Sequence, residues 1–173
     1  LDIQYYIWQN DLSGRLLFSA MLEAARRGVK VRLLLDDNNT PGLDDTLAQL
    51  NRHPNIEVRL FNPFSFRTLR ALGYLTDFAR LNRRMHNKSF TVDGVTTIVG
   101  GRNIGDEYFG TGNEPLFADL DVMAIGPVVS EVAGDFERYW HSKPVAPLQQ
   151  VLDDDEPDED SVSLPARSEE RRV

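Results

Sequence analysis

The sequence contains no cysteine among its 173 residues, and only three of them are histidine. Without thiols, the chain cannot form disulfides, thiolate zinc sites or a cysteine nucleophile. It has no unbroken apolar run of about 18 residues, the length that a transmembrane helix needs, and no start that resembles a signal peptide. The first residue is leucine rather than methionine, so we expect the chain to be a piece of a longer protein.

Negative charge dominates the chain, with 27 acidic against 19 basic side chains, but much of it is concentrated at one end. Residues 153–173 contain nine acidic and three basic residues, and no aromatic ones. Such a segment cannot bury enough apolar surface to offset the entropy lost on ordering it. We therefore expect residues 1–152 to form one domain, and residues 153–173 to be an acidic disordered tail or a linker to a missing second half.

Strand-like and helix-like patterns alternate along the first third of the chain, and Asp11 or Ser13 is placed to cap the first helix. The predicted strands are residues 3–9, 29–35, 56–61, 85–92, 96–99 and 121–125, and the predicted helices are residues 16–27, 43–50 and 127–139. Strands that alternate with helices form crossover connections between parallel strands. The sequence therefore predicts an α/β fold with a mixed, largely parallel sheet flanked by helices on both faces.

The residues that carry chemistry lie in one stretch in the middle of the chain. His86 and Lys88 are two positions apart on a predicted strand, so their side chains project from the same face. A fixed ammonium holds a phosphate and disfavours protonation of a neighbouring imidazole, which leaves the ring free to attack phosphorus. Beyond the next strand, Gly100 and Gly101 allow close approach to the backbone, and Asn103 can donate an amide hydrogen bond. The sequence therefore predicts a site for phosphoryl transfer.

This spacing, H-x-K-x4-D-x6-G-G-x-N beginning at His86, resembles the signature of the phospholipase D superfamily. Members of that superfamily more often have serine after the first glycine, where this chain has Gly101. The wider sequence resembles the bacterial cardiolipin synthase branch. The segments that carry this second resemblance are residues 4–8, 34–39, 61–63 and 103–108.

The resemblance implies a two-step transfer that uses neither a metal nor another cofactor. His86 would attack phosphorus and form a phosphohistidine. Lys88, Gly101 and Asn103 would bind the phosphate oxygens, with one hydrogen bond fewer than in members that have serine in place of the glycine.

The resemblance also implies a carboxylate that orients the imidazole of the catalytic histidine. Asp121 matches the position of that carboxylate in the family, and Asp119 is the nearby alternative. Asp93, the last residue of the H-x-K-x4-D pattern, falls in a predicted turn before Gly94. Asp93 therefore belongs to the catalytic motif as an organising residue rather than as an acid or base.

The family active site needs two such motifs, one supplying the histidine that attacks and the other the histidine that protonates the leaving group. This chain has one motif, because His53 and His141 lack a lysine and an asparagine at the required offsets. Either a second half lies beyond the acidic tail, or two copies of the chain pair as a homodimer. We expect the isolated chain to be inactive or nearly so.

Two other segments suggest further roles. Residues 36–39, Asp-Asp-Asn-Asn, are rich in oxygen ligands but lack the ligand spacing of a calcium loop. We interpret them as a loop at the carboxyl end of a parallel strand, near the substrate entrance. Residues 63–84 mix apolar and basic side chains, which suits ordinary packing with a basic edge and also suits contact with an anionic lipid surface.

The leading hypothesis is the catalytic half of a bacterial phosphatidyltransferase that resembles cardiolipin synthase. It would act on phospholipids in the cell envelope, peripheral to the membrane. One alternative is a homodimeric phosphodiesterase or nuclease of the same superfamily, although the near-neutral body and acidic tail disfavour nucleic acid as a partner. The other alternative is a non-catalytic, phosphate-binding half whose partner performs the catalysis.

Overall fold

The computed structural model describes residues 1–64, 82–111 and 116–153. The strands in these residues are β1 (Asp2–Tyr5), β2 (Val31–Asp36), β3 (Ile56–Phe61), β4 (Ser89–Val92), β5 (Thr96–Gly100), β6 (Asp121–Ile125) and β7 (Val145–Pro147). The helices are α1 (Leu12–Arg26), α2 (Asp44–Asn51), α3 (Asp106–Phe109), α4 (Pro127–Trp140) and α5 (Leu148–Asp153), and a short 3-10 helix (Asp37–Asn39) follows β2.

The strands form one mixed sheet in the order β6-β5-β4-β1-β2-β3-β7. The prediction of a mixed α/β sheet with helices on both faces is confirmed. Among the strands of the described residues, the parallel pairs are β1–β2 and β2–β3, where α1 and α2 form the crossovers. The other neighbours are antiparallel, so the sheet is less parallel than the sequence indicates, in part because a tight hairpin joins β4 to β5.

That hairpin turns at Asp93 and Gly94, as their sequence predicts. Both residues have positive φ angles, 54° and 65°. Two left-handed residues in succession give the turn a twist that matches the twist of the flanking strands. The turn therefore fixes the register in which β5 returns beside β4.

Helix α1 shows how local sequence sets the boundaries of an element. The Asp11 carboxylate accepts a hydrogen bond from the backbone N–H of Gly14 at 2.9 Å, so Asp11 rather than Ser13, the other predicted candidate, caps the helix. The helix ends before Gly28, whose φ of 94° is the left-handed conformation expected after a helix end. Because the cap is Asp11, the helix begins earlier than its apolar spacing indicated.

The centre of the sheet is buried on both faces. On one face, α1, α2 and α5 cover an apolar cluster that contains the fully buried Ile3 and Leu33. On the other face, α4 packs Phe136 and Trp140 against Leu34, the neighbour of Leu33 on β2. Since successive residues of a strand face opposite sides, β2 needs apolar residues at both positions.

Several predicted boundaries change in the structure. The fourth strand starts at Ser89 rather than at residue 85, so His86 and Lys88 lie in the extended segment just before it. Helix α3, strand β7 and helix α5 were not predicted from the sequence. Most of the basic and apolar segment 63–84 and nearly all of the predicted tail lie outside the described residues. In the part of the chain that the structure describes, no helix has the length and apolar character needed to cross a bilayer.

Candidate active site

One edge of the sheet brings the motif residues together. Because β4 runs antiparallel to β1 and β5, the start of β4 lies at the same edge as the ends of β1 and β5. His86 and Lys88 precede β4, Tyr6 follows β1 and Asn103 follows β5. Strand β6 runs antiparallel to β5 and begins at this edge with Asp121, which is paired with the last residue of β5.

His86 and Lys88 are in direct contact. The Nζ atom of Lys88 lies 3.2 Å from Nδ1 of His86 and donates a hydrogen bond to the His86 carbonyl oxygen at 2.8 Å. An ammonium has only donors, so a hydrogen bond at this contact uses the lone pair of Nδ1. The His86 side chain itself is exposed to solvent.

Lys88 is buried, with 7% of its surface exposed. Desolvation lowers the pKa of its ammonium, and the negative charge of Asp119 opposes that lowering. No carboxylate among the described residues forms an ion pair with Lys88. The site therefore contains a buried cation that a bound anion would neutralise.

The ring of Tyr6, which the sequence did not indicate as a site residue, packs against both His86 and Lys88. The Tyr6 ring packs against the His86 imidazole with centroids 4.6 Å apart, and the Lys88 Nζ lies 5.6 Å from the Tyr6 ring centre. Tyr6 limits where the imidazole can turn and adds a favourable face for the ammonium. Its position directly after β1, at the edge that carries the motif, is the signal that would have identified it.

Asn103 is buried beside the site, and its amide is largely engaged within the protein. Its Oδ1 accepts a hydrogen bond from the Ile7 N–H at 3.1 Å, and its Nδ2 donates to the Tyr108 hydroxyl at 3.0 Å. The second Nδ2 hydrogen has no partner among the described residues. The phosphate-binding role of Asn103 thus stays a prediction that rests on this one hydrogen and on the neighbouring Tyr108.

Gly101 and Asp119 pack directly against each other. A Cβ atom added to Gly101 would lie 2.0 Å from Oδ1 of Asp119, so a serine at this position would displace the carboxylate. The Gly101 N–H donates to the Leu120 carbonyl at 3.1 Å, which engages it within the protein rather than toward a phosphate. The structure therefore gives Gly101 a steric role beside Asp119, in addition to the phosphate-binding role that stays a prediction.

Asp121 is paired with Arg102. The Arg102 Nε donates to Asp121 Oδ2 at 2.8 Å, and the Arg102 backbone N–H donates to Oδ1 at 3.2 Å. The same guanidinium also donates to the Asp119 and Tyr108 carbonyl oxygens. Among the contacts of the described residues, none joins Asp121 to His86.

Asp93 lies in the hairpin at the far end of β4. It is five positions after Lys88, which corresponds to roughly 16 Å of extended chain. The structure therefore does not bring Asp93 to the imidazole, and its described role is to form the turn. The motif aspartate organises the β4–β5 hairpin from outside the site.

The other candidate residues have structural partners. His53 accepts a hydrogen bond from the Asn55 N–H within a turn, and His141 lies 3.2 Å from Glu137 on α4. Asp36 and Asp37, both fully buried, accept hydrogen bonds from backbone N–H groups. Burial raises the pKa of Asp36 to about 6, against the opposing effect of its hydrogen bonds. Within the described residues, no group of three or more His, Asp or Glu side chains is arranged to hold a metal ion.

Two solved structures share this fold. NucT from Helicobacter pylori has a TM-score of 0.58 and 18% identity, covering 81% of this chain and 77% of that chain. Nuc from Salmonella typhimurium, described as a phospholipase D family member, has a TM-score of 0.55 and 17% identity, covering 84% of this chain and 79% of that chain. At such identities the likeness concerns the fold alone.

The sequence itself has much nearer relatives. It is 76% identical over 167 residues to cardiolipin synthase C of Escherichia coli (strain K12), a match that covers 96% of this chain and 35% of that protein. The chain thus spans about a third of the length of this curated relative. Residues 1–140 match the family described as "Cardiolipin synthase, PLD-like domain". The resemblance seen in the motif is therefore confirmed, and the chain belongs to the cardiolipin synthase family of phospholipase D-like domains.

Proposed function

We propose that this chain is the catalytic half of a phosphatidyltransferase similar to cardiolipin synthase, and that it works through a phosphohistidine on His86. The observation that carries the proposal is the 3.2 Å contact between the buried Lys88 ammonium and the His86 imidazole. A buried ammonium without a carboxylate partner among the described residues favours a phosphodiester, and an adjacent imidazole is a suitable nucleophile. The 76% identity with cardiolipin synthase C supports a phospholipid as the substrate.

In the first step, a non-bridging phosphate oxygen accepts the hydrogen bonds that Lys88 makes to His86 in the free protein. The released imidazole attacks phosphorus, a P–N bond forms, and the P–O bond to the leaving alcohol breaks. Lys88 and the free Nδ2 hydrogen of Asn103 stabilise the negative charge on the phosphate oxygens. The leaving oxygen takes its proton from the histidine of a second motif.

In the second step, the hydroxyl group of an acceptor lipid attacks the phosphohistidine. Its proton passes to the group that protonated the leaving alcohol, the new P–O bond forms and the P–N bond breaks. His86 then returns to its starting state. The phosphatidyl group has moved from one alcohol to another, and water in place of the acceptor gives hydrolysis.

Of the two candidate carboxylates, Asp119 fits the role of orienting the imidazole better than Asp121 does. Asp121 is engaged by Arg102 through both of its carboxylate oxygens. Asp119 is the carboxylate whose charge acts on Lys88, and the absence of a side chain at Gly101 lets it lie close to the end of β5. A carboxylate that accepts the proton of one ring nitrogen holds the other ring nitrogen ready for attack. We assign this role to Asp119.

The second motif is part of the proposal. The chain has one H-x-K-x4-D pattern, and its relative cardiolipin synthase C is about three times as long as the matched segment. We propose that a second phospholipase D-like half supplies the acid of the first step, from the same polypeptide or from a second copy. We also propose a location peripheral to the membrane of the bacterial cell envelope, where phospholipid substrates are found.

Trapping the phosphohistidine tests the proposal. The protein expressed from its complete reading frame is incubated with phosphatidylglycerol labelled with ³²P and quenched in alkali, because a P–N bond survives base and breaks in acid. We expect label on the protein, and cardiolipin as the product. His86→Ala should abolish both, whereas His141→Ala, which changes an exposed histidine directly after the end of α4, should retain them.

The outcomes separate the alternatives. Label that persists in His86→Ala would refute the assignment of the nucleophile. Transfer without any label in the wild type would refute the covalent route. Cleavage of DNA in place of lipid would favour the homodimeric nuclease, and label trapped only on a second motif would favour a non-catalytic, phosphate-binding half.

A further inference from the structure

Two adjacent aspartates at the end of β2 bind backbone amides from distant parts of the chain. Oδ2 of Asp36 accepts a hydrogen bond from the Met85 N–H at 2.8 Å, and Oδ2 of Asp37 accepts one from the Phe64 N–H at 2.8 Å. Both aspartates are fully buried. Phe64 precedes residues 65–84 and Met85 follows them, so the two carboxylates hold Phe64 and Met85 next to the end of β2.

Further contacts join the two ends to each other. The Asn62 side chain donates to the Arg83 carbonyl at 2.8 Å. Nη1 of Arg84 lies 3.3 Å from both Oδ1 of Asp36 and the Asn62 carbonyl oxygen, and its guanidinium lies 5.0 Å from the centre of the Phe64 ring. The backbone at the entrance to the motif is therefore held by several independent contacts.

These contacts hold Met85, the residue directly before His86, which is the proposed nucleophile. Met85 is fully buried, and its Sδ accepts a hydrogen bond from the Gln4 side chain at 3.0 Å. His86 follows it directly, with its own side chain exposed and packed against Tyr6 and Lys88. The position of the His86 backbone is thus determined mainly by how firmly Met85 is held.

The negative charge of Asp36 is needed to hold the Met85 amide in place. Its two oxygens accept from three donors, the N–H groups of Met85 and Asn38 and the guanidinium of Arg84. An asparagine at this position has one acceptor oxygen, and its NH2 group would face one of those donors. A buried donor left without an acceptor is costly, so the segment before His86 would shift.

We propose that Asp36 is a positioning residue for catalysis, which sets the place of His86 through the Met85 amide, with Asp37 fixing the other end of the same segment. This inference rests on the proposed role of His86. It requires no contact between Asp36 and the substrate.

Amide exchange and kinetics test the inference in the protein expressed from its complete reading frame. In Asp36→Asn, we expect the Met85 amide to exchange at least about tenfold faster, because its carboxylate acceptor is weakened. We expect kcat for lipid transfer to fall about 10- to 100-fold, with KM within about threefold, because a displacement of roughly 1 Å is costly to catalysis while lipid contacts remain. The control is Asp2→Asn, which removes a carboxylate paired with Arg32 at 2.7 Å, and should leave both readouts unchanged.

Asn62→Gly is the second variant, in case Asp36→Asn does not fold. Glycine keeps the positive φ of 52° at this position and removes the side-chain bond to Arg83. We expect a smaller fall in kcat, about three- to tenfold, again with little change in KM.

Each result has one meaning. Faster Met85 exchange with unchanged kcat in both variants would refute the positioning role. Unchanged exchange in Asp36→Asn would refute the structural contact itself. If the wild type transfers no lipid, the proposed function fails, and the exchange measurement still decides whether Asp36 holds Met85.

Discussion

The two halves of the sheet differ in how their faces are packed. We call the half that contains β2 and β3 the covered side, and the half that contains β5 and β6 the open side. On β2 and β3, Leu33 and Val58 are fully buried, because helices pack on both faces of those strands. On β5 and β6, Ile98, Met123 and Ile125 expose 40%, 72% and 72% of their surface. The register places these three residues on one face, opposite the face that α4 covers. The covered side stabilises the fold, and the open side presents an apolar surface among the described residues.

The H-x-K-x4-D motif lies at the boundary between these two sides. The segment that carries His86 and Lys88 enters β4 next to the covered strand β1, while Asp119 belongs to the chain that leads into the open strand β6. The proposed nucleophile is thus attached to the covered side, and the proposed orienting carboxylate is attached to the open one. The geometry of a site with residues from both sides therefore depends on the contacts that join the two sides.

The largest effect is expected on the covered side. Leu33→Ala should lower the free energy of unfolding by about 2–5 kcal/mol, since it leaves a cavity in a fully packed cluster. Urea unfolding followed by circular dichroism measures this change. A loss below about 1 kcal/mol would contradict the picture of a closely packed centre.

An intermediate effect is expected where the two sides are joined. The Asp106 carboxylate, at the start of α3, accepts hydrogen bonds from the Ser13 N–H at 2.8 Å and from the Thr111 hydroxyl at 2.8 Å, which links α3 to the start of α1. These bonds lower the pKa of Asp106 from 3.8 to about 2. The folded state therefore binds its proton less tightly than the unfolded state, and the stabilisation is complete above the unfolded pKa and is lost as the pH falls toward 2.

Asp106→Asn should therefore lower the melting temperature at pH 7, and the difference from the wild type should shrink as the pH falls from about 4 to about 2. Thermal unfolding across this pH range measures it. Glu131→Gln, which changes an exposed carboxylate on α4, is the matched control. An Asp106→Asn deficit that stays constant with pH would show that the carboxylate charge is not what joins the helices.

The smallest effect is expected on the open side. Met123→Ser should change the free energy of unfolding by about 0.5 kcal/mol or less, because its side chain already contacts solvent. The same urea experiment applies, with Leu33→Ala as the reference. A loss comparable to that of Leu33→Ala would mean that this face is covered in solution.

The sequence predicts the parts of this molecule that depend on local chemistry. Asp11 caps α1, Asp93 and Gly94 form the hairpin, and β3 has the predicted bounds, because each follows from a few adjacent residues. The contact between His86 and Lys88 was also predicted, although they precede the strand rather than lie on it. Their shared direction survives because the extended backbone continues into β4.

What the sequence could not predict depends on residues that meet only in the fold. Asp121 and Asp119 are two positions apart, and the sequence alone gave no way to foresee that Arg102 would engage the first. The packing of Tyr6 against His86 depends on the antiparallel pairing of β1 with β4. Such contacts need the strand order, which alternating patterns do not specify.

The absence of a side chain at Gly101 limits which residues can occur together at this site. A hydroxymethyl group there and a carboxylate at residue 119 compete for the same volume, so the two cannot coexist in this geometry. A member with serine at this position must hold its acidic group farther out, and in exchange it acquires a hydroxyl donor. The absent hydroxyl is therefore the steric condition for bringing the negative charge of Asp119 near Lys88.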